Sequence, residues 1–314
     1  MTGATWPATW LECVGSLIVG EGQSAAAQVR PAGGVNLLLA PAMAVTAMFS
    51  VQLGSGLSKP MMAELGAIGT TTLRLAWAAV LLMLIVRPRL GRYDRRQWLA
   101  ALLLGLAMTA TAIFYFLSLQ RIPLGLASAI EFLGPLGIAA AGMRRWHHLA
   151  WPVLAAIGIA LLVHDNHGWT VDLAGAGFAL LAAGGWASYI LASKRVGRVF
   201  AGHDGLAMSF LFATLASLPF GYGELAGHLS VAAVLQMAGL AILVPLLPFA
   251  LEMSALRRLS TRSFGVLMSA EPAIGALIGL IVLGEFLSLL QWLGIACVTA
   301  ASIGAVLEGG AEAH

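Results

Sequence analysis

The sequence predicts an all-α membrane protein of ten transmembrane helices, built as two inverted five-helix repeats. Three observations carry that prediction. The chain is 60% hydrophobic and only 10% charged, against about 25% charged in a soluble domain. Apolar stretches of roughly 20 residues, the length that crosses a bilayer core, recur along it. Basic residues gather in alternate gaps between these stretches, as the positive-inside rule requires. The net charge of +3 therefore orients helices in lipid. It is not a nucleic-acid signal, and the expected partner is the lipid bilayer.

Residues 1–32 read as an N-terminal tail. Leu11 to Gly20 resembles a short apolar signal core, but no basic segment precedes it, so a signal peptide is not expected. The first repeat, 33–163, holds candidate spans near 34–57, 67–86, 98–119, 123–141 and 149–163, the fifth short for a crossing. The second, 173–307, holds spans near 173–193, 205–223, 230–256, 262–283 and 288–307. Residues 308–314 form a C-terminal tail.

Orientation follows from the basic residues. Thirteen of the seventeen Lys and Arg lie in the loops after spans two, four, six and eight. Lys59 and Arg121 are the two assigned to odd-numbered loops, which also carry Glu64, Asp165, Asp172, Glu224 and Glu285. Both termini are therefore expected in the cytoplasm. Sliding residues 114–139 onto 251–276 aligns Leu119 with Leu256, Arg121 with Arg258, Pro135 with Pro272 and Ala139 with Ala276. An odd number of spans per repeat forces opposite orientations. A substrate site is then expected at mid-membrane, between the halves.

Four ionisable residues stand inside apolar spans: Arg74, Glu131, Glu252 and Glu271. Such groups cost a few kcal/mol to insert and usually face a protein interior or an aqueous path. Glu131 lies about 12 Å into span four, and Glu271 about 13.5 Å into span nine from the other face. Pro135 removes the backbone bond to the Glu131 carbonyl, and Pro272 follows Glu271 directly. Each carboxylate reads as an ammonium site or proton carrier; the structural alternative is a protonated Glu bonded between helices. Glu131 ranks first for proton coupling, then Glu271, then Glu252, which has Arg257 and Arg258 nearby as anchors. Arg74 has three readings: it receives a substrate carboxylate, neutralises a glutamate, or snorkels outward. Ser128, Thr261 and Ser269 offer hydroxyl partners. Tyr115 and Trp186, with Tyr189, are candidates to line a cavity. Gly275 and Gly279 fit close helix packing.

Other chemistries lack their residues. No Walker loop, nucleotide fold or nucleophile elbow is present, so neither a cofactor nor an enzymatic activity is expected. Cys13 and Cys297 form no disulfide framework, and the His164 to His167 loop reads as solvated rather than metal-binding.

Three stretches resemble a known family. They are Thr72 to Ala76, Pro123 to Pro135 with Glu131 inside it, and Leu251 to Pro272 with Glu252 and Glu271. Over about residues 35–307 the chain resembles the EamA-type members of the drug/metabolite transporter superfamily, and within them the exporters of small amino acids in the bacterial inner membrane. The resemblance implies export of threonine, homoserine and related amino acids driven by the proton-motive force. Other amphipathic metabolites or drugs, a lipid-modifying membrane enzyme and a passive channel are the competing readings. The residues leave oligomeric state open.

Overall fold

The computed structural model describes residues 35–141, 150–163, 172–200, 203–256, 258–259 and 261–309. The tail before Val35, the His164 to His167 loop, Arg257 and residues 310–314 lie outside the described residues. Among the described residues every regular element is helical. Seven helices are long and apolar enough to cross a membrane, and three shorter apolar ones, Leu124–Ile138, Ala150–Leu162 and Leu289–Ala305, bring the total to ten.

In chain order the helices are α1 (Val35–Leu65), α2 (Ala67–Val86), α3 (Arg95–Leu119), α4 (Leu124–Glu131), α5 (Leu133–Ala141), α6 (Ala150–Val163) and α7 (Leu173–Val199). Then come α8 (Asp204–Leu225), α9 (Val231–Ala241), α10 (Leu247–Leu256), α11 (Thr261–Met268), α12 (Glu271–Leu283) and α13 (Leu289–Gly309). Three spans are broken. Span four divides at Phe132 into α4 and α5, because Pro135 cannot donate to the Glu131 carbonyl. Span eight divides at Ile242–Leu246, where Val244 leaves helical geometry (φ −146°, ψ 112°). Span nine divides at Ser269 and Ala270, just before Pro272.

Helix ends follow local chemistry. Asp94 and Gln97 form a capping box that starts α3. The Asp172 and Ser230 side chains cap α7 and α9. Gly284, left-handed at φ 66°, closes α12. Span one differs from expectation: its helix continues to Leu65. Lys59 therefore stands inside the helix rather than in a loop, half-buried and paired with Glu285.

The helices of the two halves interleave. α3 lies along α7 and α10 along α1; α2 packs on α8, α4 on α12, and α6 on α13. The core under this lattice is fully buried, with Phe116, Leu119, Leu124, Leu126 and Ile130 at its centre. Large apolar side chains such as Leu84, Phe220 and Ile281 point outward, each more than 60% exposed. So much outward-facing apolar surface suits lipid, not water. The crossing of α4 and α12 is close enough that a Cβ on Gly125 would lie 2.5 Å from the Ala276 Cα. Gly275 sits against the Ser128 hydroxyl at the same crossing.

Candidate functional site

One cavity of about 260 Å³ opens between the halves, just below the range of about 300–1,000 Å³ for drug-sized ligands. Arg74 of α2, Tyr115 of α3, Glu131 of α4, Trp186 and Tyr189 of α7, Glu252 of α10 and Glu271 of α12 all line it. Ser55, Leu75, Met108, Phe210, Pro245 and Phe249 supply much of the remaining wall. All four intramembrane ionisable residues thus share a single space.

The three breaks in the spans surround this space. Glu131 is the last residue of α4 and Glu271 the first of α12, so each carboxylate sits at a helix end. Pro245 of the third break also lines the wall. Free backbone groups at such ends supply fixed partial charges.

Arg74 and Glu271 are nearly sealed from solvent, at 6% and 7% exposure. Arg74 stacks its guanidinium on the Phe116 ring, 4.2 Å from the centroid. Its Nη1 has no hydrogen-bond partner among the described residues, and neither has Glu271 Oε2. An orphaned buried polar atom costs about 1–3 kcal/mol, and the fold leaves both atoms in that state. The other Glu271 oxygen, Oε1, accepts from Gln52 Nε2 at 3.4 Å. Glu131 is half-buried and lies within electrostatic reach of both Glu271 and Arg74.

The other predicted positions are distributed as follows. Ser128 lies behind Tyr115, their hydroxyls 2.9 Å apart. Ser269 is not brought to the cavity: its hydroxyl is 2.7 Å from that of Ser302, which joins α13 to this span. Thr261 opens α11, and its side chain lies outside what is described. Arg258 does not pair with Glu252; it donates to the Ser254 carbonyl and to the Met43 sulfur. Sequence reasoning missed Gln52, Ser55 and Phe116. A signal for the first two exists, because Gln52, Ser55 and Ser58, three residues apart, place a polar stripe on one helix. Phe116 has none, since an aromatic in an apolar span is ordinary.

The two ends of the bundle differ. At one end, three carboxylates of the second half reach into the first. Glu285 pairs with Lys59 and accepts the Leu124 amide at 2.7 Å. Asp172 accepts Arg121 Nη1 at 2.9 Å, and that bond, the largest influence on it, holds its carboxyl below the ordinary 3.8. Glu224 accepts the Gly69 amide at 2.7 Å. At the other end, Gln97 donates to the Val199 carbonyl at 2.8 Å, and Tyr93 donates to Asp204 at 2.6 Å. Burial and that bond push the Tyr93 hydroxyl up to about 12. The cavity runs toward this second end, reaching Leu206 near the start of α8 and Glu252 near the end of α10.

Comparison with known proteins fits a transporter. Residues 173–307 match the model of the EamA-like transporter family. The chain is 40% identical over 267 residues to the threonine/homoserine exporter RhtA of Escherichia coli (strain K12), covering 84% of this chain and 90% of that protein. It is 39% identical over 263 residues to the exporter of that name from Salmonella typhimurium (strain SL1344), covering 83% and 89%. A solved structure titled only "Crystal structure of protein" superposes with a TM-score of 0.56 at 19% identity, over 88% of this chain and 99% of its own. That last likeness concerns the fold alone. The chain belongs to the EamA-like transporter family, a family of transporters rather than enzymes.

Proposed function

We propose that this member of the EamA-like transporter family exports small neutral amino acids, threonine and homoserine foremost, by proton antiport across the bacterial inner membrane. The observation that carries the reading is a pair of buried, unpartnered atoms on two residues that line one cavity: Arg74 Nη1 and Glu271 Oε2. A zwitterion brings the two groups they lack, a carboxylate for the guanidinium and an ammonium for the carboxylate. The names of the relatives supply the substrate class.

Proton coupling rests on charge balance. One guanidinium faces three carboxylates, Glu131, Glu252 and Glu271, in a low-dielectric space. Excess carboxylates there call for a proton or an ammonium group. If both compete for one carboxylate, binding of one expels the other, which is antiport. Sequence reasoning ranks Glu131 first for this role; its orphaned oxygen and its place at the start of α12 favour Glu271 as the shared position. Glu131 then takes the second proton site, and Glu252, nearest the basic end, the route between it and the cytoplasm.

Alternating access draws support from the ends of the bundle. The cavity extends toward the basic end, while carboxylates of one half clamp the other half at the acidic end. With both termini in the cytoplasm, this is an inward-open arrangement. Shifting spans by five also exchanges the α3–α7 and α10–α1 pairings and returns α2–α8, α4–α12 and α6–α13 to themselves, as a five-span repeat requires. Expression in a homoserine-sensitive strain tests the export reading: growth at toxic homoserine and threonine, with faster efflux of labelled threonine, is expected. Unchanged sensitivity at normal membrane levels would refute it.

A further inference from the structure

Behind the cavity lies a buried polar chain through Gln52 and Ser128, neither of which the export reading uses. Gln52 is 2% exposed. Its Nε2 donates to Glu271 Oε1 at 3.4 Å. Its Oε1 accepts from Ser128 Oγ at 3.1 Å and from Tyr115 Oη at 3.5 Å. Ser128 Oγ and Tyr115 Oη are 2.9 Å apart. Four helices, α1, α3, α4 and α12, thus meet in one line of hydrogen bonds that ends at a cavity-lining hydroxyl.

An ionised Glu271 constrains the donors and acceptors in this line. An ionised carboxylate only accepts, so the Gln52 amide must turn its NH₂ to Glu271 and its carbonyl to the hydroxyls. Ser128 owns one proton, and it goes to Gln52 Oε1. Tyr115 has one proton for Gln52 Oε1 and Ser128 Oγ, and either bond turns it into the line. What remains of Tyr115 toward the cavity is lone pairs: an acceptor. An ammonium group, which only donates, meets two acceptors there, Glu271 Oε2 and Tyr115 Oη.

A proton on Glu271 reverses the line. The carboxyl becomes a donor to Gln52 Oε1 once the amide turns over. Gln52 Nε2 then donates to Ser128, Ser128 to Tyr115, and Tyr115 turns its O–H into the cavity. No proton moves between residues; two hydroxyls rotate and one amide flips. Tyr115 is lost as an acceptor, and Glu271 Oε2 keeps only the lone pairs of a neutral carbonyl.

We propose that Gln52 is a positioning residue that ties the protonation of Glu271 to the polarity Tyr115 shows to the substrate. This rests on the export reading above and deepens it: one proton both neutralises the Glu271 contact and turns Tyr115 from an acceptor into a donor. The other charged or titratable groups facing the pair are Arg74 from α2, Glu131 from α4 and Glu252 from α10. None of them lies in the line.

The test is the pH dependence of threonine affinity in reconstituted protein, for wild type, Gln52→Leu, Ser128→Ala, Tyr115→Phe and the Gln52→Leu/Tyr115→Phe double variant. Wild-type affinity should weaken on acidification. In each single variant the change should shrink by about fivefold, one net hydrogen bond of about 1 kcal/mol, and the double variant should lose no more. Ser128→Ala interrupts the line without altering the cavity wall, so it serves if Gln52→Leu does not fold. A Gln52→Leu or Ser128→Ala protein with wild-type pH dependence, or with affinity lowered equally at every pH, would overturn the relay. Wild-type protein that binds no threonine would instead overturn the export reading, and the relay with it.

Discussion

The charged groups of the cavity and those of the acidic end are treated in opposite ways by the same fold. At the acidic end each carboxylate from the second half has partners: Glu285 holds Lys59 and the Leu124 amide, Asp172 holds Arg121, and Glu224 holds the Gly69 amide. In the cavity, Arg74 and Glu271 are more deeply buried, yet each keeps an atom without a partner. Cost alone would predict the reverse, since an orphaned group matters most where water is excluded. Satisfied charges hold two halves together; unsatisfied ones, on the proposed reading, receive a ligand.

That contrast can be broken first in the cavity, where the largest effects are expected. Glu271→Gln keeps shape and removes charge. It should leave membrane levels normal while export falls at least tenfold, about 1.4 kcal/mol or more in the limiting step. Glu131→Gln should follow with a smaller loss. Wild-type efflux from both variants would make the mid-membrane carboxylates structural. Packing at the crossing beneath should respond differently. Gly125→Val drives a side chain into the Ala276 backbone, an overpacking cost of about 1–3 kcal/mol, so thermal stability and membrane levels should both fall.

At the acidic end the effects should be smaller and appear in stability before transport. Glu285→Gln leaves Lys59 without its ion pair. A drop in melting temperature with only a severalfold loss of efflux is expected; a loss as large as that of Glu271→Gln would place Glu285 in the transport path. The Arg121 and Asp172 pair is more exposed, and its sign can be worked out. The folded carboxyl titrates below its ordinary 3.8, so its contribution is complete above that value and fades as pH falls through the lower one. The stability difference between wild type and Arg121→Ala should therefore be slight at neutral pH and vanish in strong acid.

Much of this architecture is legible in the sequence, because hydropathy acts over 20 residues at a time and tolerates local error. The four ionisable residues are equally visible, since a charge in an apolar run stands out without knowledge of its neighbours. What the sequence hides depends on a distant partner. Lys59 reads as a loop cation until Glu285 is placed beside it. Ser269 reads as a substrate contact until Ser302 takes its hydroxyl. Gln52 is uncharged and passes unnoticed, although its spacing from Ser55 and Ser58 marks a polar stripe. Basic residues also predict orientation, and reporter fusions after Leu90, Gly168 and His314 would check it: inside, outside and inside.

If one cavity exchanges a proton for an amino acid, transport in reconstituted vesicles must follow the proton gradient. Labelled threonine is supplied on the cytoplasmic face of the protein under an imposed pH gradient, acidic on the opposite face. Accumulation against the threonine gradient is predicted, with collapse on adding a protonophore and loss in Glu271→Gln. Movement that ignores both the gradient and the protonophore would contradict the account and leave facilitated diffusion.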